Sequence, residues 1–164
     1  MARGVFFSFH YQRDITRVNV IRNHMLTKGG YHSAGYWDQS LWETAKKTSS
    51  LALKRMINQG LENTSITVVL IGKETADRPW VQYEIEKSHE RGNGMIGIYI
   101  HNIRNFQQQP DSQGQNPFGR FSVLNDRGIR VPMSQIYPTH NWVLNDGYNK
   151  FSTWVEAAAR RAGK

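Results

Sequence analysis

Two apolar runs constrain this chain more than any other feature: Ile66-Thr67-Val68-Val69-Leu70-Ile71 and Met95-Ile96-Gly97-Ile98-Tyr99-Ile100. Neither alternates between apolar and polar, so each reads as a strand buried on both faces, the pattern of a parallel sheet. Parallel neighbours need a crossover. The residues between them supply one: a turn-forming stretch from Lys73 to Pro79, then a helix from Trp80 to Arg91 stopped by Gly92 and Gly94. Upstream, Val5 to Phe9 is a short run of strand formers. Asp14 is placed to cap a helix whose apolar positions are Ile15, Val18, Ile21 and Met25. Lys28 to Gly35 reads as a glycine-containing loop and Ala34 to Trp37 as a short second strand. A helix is expected from about Thr48 to Gln59, with Leu51, Leu53, Met56 and Ile57 inward and Gly60 as its stop.

Strand and helix thus alternate through the first hundred residues, which predicts an α/β layer fold around a mainly parallel sheet. The segment near 102–141 differs. Gln107-Gln108-Gln109-Pro110-Asp111 and Gln113 to Gly119 are polar and broken by Pro and Gly. Phe121 to Leu124 and Ile129 to Val131 flank Asn125-Asp126-Arg127-Gly128 as a small hairpin. Its function is open, and the plain reading is a decorated rim. Trp142 to Leu144 is expected as a last strand and Tyr148 to Ala162 as a closing helix, with Phe151, Trp154 and Val155 inward. At this length, residues 1–164 are most simply one domain.

Several function classes are disfavoured. The chain has no cysteine, so neither a disulfide framework nor a thiolate metal site is available. Its histidines (His10, His24, His32, His89, His101 and His140) show no ligand spacing, and no metal or cofactor is expected. Gly30 and Gly35 have phosphate-loop spacing, but Tyr36-Trp37 stand where Lys-Ser/Thr would be needed. The formal charge of +8 favours anionic partners, yet the basic residues are scattered, so charge permits nucleic-acid binding without arguing for it, and nucleic acid is not the expected partner. Met1-Ala2-Arg3-Gly4 leads into an apolar run too short for a signal peptide, and no run reaches membrane-spanning length. The expectation is a cytoplasmic protein.

In a parallel sheet the ends of these strands share one edge, where open α/β folds hold ligands. His10-Tyr11, Lys73 and His101 follow three of those ends, and Glu84 follows one by a turn of helix. Trp80 and Glu84, four apart, lie on one helix face. An aromatic surface beside a carboxylate suits a nucleotide-like substrate and a cationic transition state. Spacing alone leaves the plain alternatives open: Glu84 as a solvated carboxylate beside Glu86 and Lys87, Trp80 as a core aromatic, and His10 as a loop residue.

Val5-Phe6-Phe7-Ser8-Phe9-His10-Tyr11 resembles the first box of the TIR domain, and Trp80-Val81-Gln82-Tyr83-Glu84-Ile85 resembles the TIR helix carrying Trp-x-x-x-Glu. With Arg17 to Val20, Ser40 to Ser49, Val69 to Gly72 and Asp146 to Phe151, the chain is similar to the TIR-like subunit of bacterial Thoeris anti-phage defence. The resemblance implies a flavodoxin-like, three-layer fold and an enzyme for which NAD is substrate rather than cofactor. It implies cleavage of the nicotinamide–ribose bond and a cyclic ADP-ribose isomer as product. That diffusible nucleotide would activate a partner effector that depletes NAD, after a phage trigger that the sequence does not identify. Glu84 falls at the family's catalytic glutamate. Ser8, Phe9, His10, Tyr11, Trp80 and Tyr83 fall on motif positions near the dinucleotide. The chemistry agrees: nicotinamide leaves readily, and a carboxylate stabilises the oxocarbenium-like ribosyl centre. Lys46 or Lys73 would neutralise the pyrophosphate. The rival classes are a non-catalytic TIR-like module that works by assembly, self-association included, and a nucleotide- or nucleic-acid-binding protein.

Overall fold

The computed structural model describes residues 3–35 and 39–164, with side chains described outside 39–43. A five-stranded, all-parallel sheet forms the middle layer. Its strands are β1 (Arg3–Ser8), β2 (Tyr31–Ala34), β3 (Ile66–Ile71), β4 (Gly94–Tyr99) and β7 (Thr139–Asn141), in the order β2-β1-β3-β4-β7. The other two strands, β5 (Ser122–Leu124) and β6 (Arg130–Pro132), form the expected antiparallel hairpin apart from the sheet. The main order is flavodoxin-like. The connections reverse direction between β1 and β3, and this switch point opens a crevice at their carboxyl ends.

The helices are α1 (Tyr11–Lys28), α2 (Gln39–Thr48), α3 (Ser50–Leu61), α4 (Pro79–Glu90) and α5 (Gly147–Arg161). Side-chain alternation along the strands divides them into two layers. Val5 and Phe7 of β1, Ile66, Val68 and Leu70 of β3, and Ile96 and Ile98 of β4 face one way. They pack with Val18, Ile21 and Met25 of α1 and Phe151, Trp154 and Val155 of α5. The opposite face joins Phe6 to Ile57 and Leu61 of α3, and Val69 and Ile71 to Val81 and Ile85 of α4. Ser8 follows Phe6 and Phe7 in this alternation, so it lies under α4. Register then decides which group of α4 it meets.

Four expectations are corrected. The second strand is Tyr31–Ala34 rather than Ala34 to Trp37, whose Tyr36 and Trp37 lie outside the described residues. Asp14 does not cap α1: the helix begins at Tyr11 with His10 at its N-cap, and Asp14 is buried against Gly72. α3 starts later than expected. It buries Leu53, Ile57 and Leu61 at intervals of four, leaving Leu51 54% exposed and Met56 half-buried. The last strand of the sheet is Thr139–Asn141, not Trp142 to Leu144. There the Asn141 side chain accepts hydrogen bonds from the Val143 and Leu144 backbone N–H groups and turns the chain away.

The segment after β4 lies back over the carboxyl edge of the sheet. The buried Arg17 holds it, donating to the carbonyls of Ile103 at 2.7 Å and Gln109 at 3.0 Å. Gly114 sits directly on the Gly72 backbone: a Cβ there would lie 2.0 Å from the Gly72 oxygen. The strap therefore contacts the loop that leads into α4.

Candidate active site

Glu84 lies on the apolar stripe of α4 rather than on its solvent face. Val81, Glu84, Ile85 and Ser88 are the buried residues of that helix, spaced as one face of a 3.6-residue period. The solvated-carboxylate reading is thereby overturned: Glu84 is 4% exposed. The fully buried Ser8 hydroxyl donates a hydrogen bond of 3.1 Å to Oε1 of Glu84. Burial in this apolar layer pushes the carboxyl up to about 8, with the Ser8 hydrogen bond acting in the opposite direction. A carboxylic acid neutral near pH 7 at a crevice wall is a recurrent sign of a functional site.

An open cleft lies against Glu84. It is lined by Phe9, His10, Tyr11 and Gln12 after β1, by Lys46 of α2, and by Arg78, Pro79, Trp80 and Val81 at the start of α4. These are the two sides of the switch point. The N-termini of α1 and α4 both reach it, and neither carries a side-chain cap. Uncapped first-turn N–H groups and the positive ends of two helix dipoles favour an anion there. Arg78 and Lys46 add formal positive charge. Burial, and next the Arg78 charge, hold His10 below the ordinary histidine range, so its ring is neutral at pH 7.

The structure brings together most of the residues singled out in sequence. Phe9, His10, Tyr11, Trp80 and Glu84 share the cleft. Ser8 lies behind it, touching Glu84 rather than open space. Tyr83 is not part of the lining. Its hydroxyl donates to Asn58 at 3.2 Å, its ring meets Trp80 edge-on, and the Lys54 and Lys87 ammonium groups lie over it. Of the two lysines considered, Lys46 lines the cleft and Lys73 does not. Sequence reading passed over Arg78. Its signal was its position directly before Pro79, because proline favours the first helical turn and so makes the preceding residue an N-cap.

The family model for the "Thoeris protein ThsB, TIR-like domain" matches residues 6–105, from β1 through α4 and β4. A protein of Bacillus cereus (strain MSX-D12) named "Putative cyclic ADP-D-ribose synthase ThsB1" is 45% identical over 191 residues, spanning 94% of this chain and 100% of its own. Among solved structures, the TIR domains of the activated Roq1 resistosome, which directly recognises the pathogen effector XopQ, superpose loosely. That likeness has 18% identity and a TM-score of 0.42, over 99% of this chain and 85% of theirs.

Proposed function

The chain belongs to the TIR-like domain family of Thoeris protein ThsB, and on that premise we propose that it cleaves NAD at the nicotinamide–ribose bond and closes the remaining ADP-ribose into a cyclic isomer. The product serves as a diffusible signal to a partner effector in anti-phage defence. The observation that carries the reading is the buried Glu84, held by Ser8 at the wall of a cleft whose mouth is basic and aromatic.

Each part of the substrate meets a suitable group. The pyrophosphate lies at the uncapped N-termini of α1 and α4, between Lys46 and Arg78. Trp80 offers an aromatic surface to a base or to nicotinamide, and Phe9, stacked on Tyr11, adds to the same wall. The ribose bearing cationic nicotinamide lies against Glu84. A positive charge there favours the carboxylate, so binding draws the proton off the acid and creates the anion that the oxocarbenium-like centre needs. As the bond to nicotinamide breaks, a nitrogen or hydroxyl of the same dinucleotide held close in the cleft bonds the ribosyl carbon, a hydroxyl giving up its proton, and closes the ring. Cyclisation requires water to be kept from that carbon. His10, neutral and adjacent, can hydrogen-bond the sugar without adding charge.

The reading is tested by incubating the purified protein with NAD, with and without lysate of phage-infected cells, and identifying the products by mass spectrometry. Free nicotinamide and a nucleotide of the mass of cyclic ADP-ribose are expected. Intact NAD under both conditions would count against the assignment. Arg78 provides a separate check. Arg78→Ala is expected to raise KM for NAD about tenfold with little change in kcat, as loss of a charge-assisted phosphate contact does. The same change is expected to move the His10 titration toward the ordinary histidine value, read by NMR, because one of the two largest effects depressing it is gone.

A further inference from the structure

We propose that Arg13 is a positioning residue for the cleft, and that it transmits the placement of the 102–116 strap to the wall bearing Arg78 and Trp80. This deepens the reading of the cleft as an NAD site and rests on it. Arg13 lies on α1, one turn from His10, and its guanidinium divides between two carboxylates. Nη2 donates to both oxygens of Asp111 in the strap, at 3.1 and 2.9 Å. Nη1 lies 3.1 Å from Oε2 of Glu74. The other oxygen of Glu74 faces Nε2 of His10 at 4.0 Å. Ion pairs therefore run from the strap to Arg13 to Glu74, and Glu74 lies beside the neutral His10 ring that lines the cleft.

Glu74 is well placed to pass this on. It opens the 3-10 turn Thr75–Asp77, and the next residues, Arg78, Pro79 and Trp80, form the second wall of the cleft. That short loop is braced elsewhere as well: Gly114 of the strap lies on the Gly72 and Lys73 carbonyls, and Arg120, beyond the strap, pairs with Asp77 at 2.6 Å. The main-chain end of the strap is fixed independently, by Arg17 on the Ile103 and Gln109 carbonyls. Arg13 contributes something different. It is the cation that joins a strap carboxylate to a loop carboxylate: Asp111 also has Arg17 at 3.9 Å and the Ser112 N–H, but Arg13 is the group that reaches both Asp111 and Glu74. Its side chain is 32% exposed, so the pairs add little to global stability. Their effect is on where the loop sits, and a small misplacement of binding groups is felt in substrate affinity.

The test is a double-mutant cycle on the full chain: Arg13→Gln, Asp111→Asn and both together. Amide exchange over residues 73–80 is followed without substrate, alongside KM and kcat for NAD. Each single change is expected to raise exchange in 73–80 and KM by about five- to tenfold, with kcat within about twofold and the melting temperature nearly unchanged. The double variant is expected to match the singles, because one link is broken either way. Exchange rising only within 102–116 would overturn the proposal. So would effects that multiply in the double variant, or an unchanged KM in an active enzyme. Should the wild-type chain leave NAD intact, that result bears on the catalytic reading, and exchange over 73–80 still decides the role of Arg13.

Discussion

Glu84→Gln is expected to abolish nicotinamide release while making the protein more stable. The loss should be on the order of a thousandfold or more, because the amide cannot supply the anion that the ribosyl centre requires. The gain in stability follows from the same burial. In the unfolded chain this glutamate titrates near 4.5, and in the fold near 8. Between those values the native state holds a proton that the unfolded chain has given up, so stability falls as pH rises through that window. Below about 4.5 Glu84 carries no such penalty, and above about 8 the penalty is complete, of order a few kcal/mol. Glutamine has the shape of the protonated acid and does not titrate. Its carbonyl can still accept from Ser8. The melting temperatures of wild type and Glu84→Gln should therefore nearly coincide at pH 5 and separate by several degrees at pH 8, at about 2–4 °C per kcal/mol for a chain of this size. Scanning calorimetry at the two pH values, beside a nicotinamide assay, reads both halves. Turnover equal to wild type would remove Glu84 from the mechanism. A temperature gap that does not grow with pH would show that the buried carboxyl is not protonated. Loss of activity together with gain of stability is the mark of a residue kept for function at the expense of the fold.

The same burial explains what could be read from the sequence and what could not. β3 and β4 were legible almost to the residue because strands covered on both faces are apolar almost throughout. α4 was equally plain to within a residue: Pro79, read as the end of the turn, is its first residue, and Gly92 lies beyond its end. Glu84 was placed on the right helix, but its environment was read from sequence neighbours, and Glu86 beside it is exposed. The helical period held the better signal: Val81, Ile85 and Ser88 mark a buried stripe, and Glu84 falls on it. β2 was misplaced because it is a four-residue edge strand whose burial pattern lacks a fully buried position. β7 was misplaced because Trp142 continues the ladder by a single bond to the Tyr99 carbonyl before the Asn141 turn. The strap was beyond sequence reading altogether. What holds it is an arginine pair on α1 reaching Ile103, Gln109 and Asp111, and charge pairing over some ninety residues leaves no periodic trace. Arg13 and Arg17 are four apart on one helix face, which becomes meaningful only once the strap is seen to lie over it.

Ser8 fixes how the acid is tuned, and its removal should change the pH dependence of the reaction more than the capacity to react. In the free protein Glu84 titrates near 8, so kcat/KM should rise with pH along a limb centred there. The limb in kcat should lie lower, because cationic nicotinamide in the cleft favours the carboxylate before chemistry begins. Ser8 is the group that opposes burial: its hydroxyl donates to the carboxyl and lowers its titration point. Ser8→Ala removes that donor at a fully buried position, where no solvent is available to replace it. A hydrogen bond to a charged group is worth about 1.5–3 kcal/mol, equivalent to roughly one to two pH units. The kcat/KM limb of Ser8→Ala should accordingly move alkaline by about that much, with turnover at pH 7 down at least tenfold and most of it recovered near pH 10. Rate profiles from pH 6 to 10 distinguish this from simple damage. A variant that is misfolded, or that has lost a direct substrate contact, is depressed by the same factor at every pH. Only a residue acting through the ionisation of Glu84 gives a deficit that closes as the carboxyl is titrated. A uniform deficit would show that Ser8 does not act through the ionisation of Glu84.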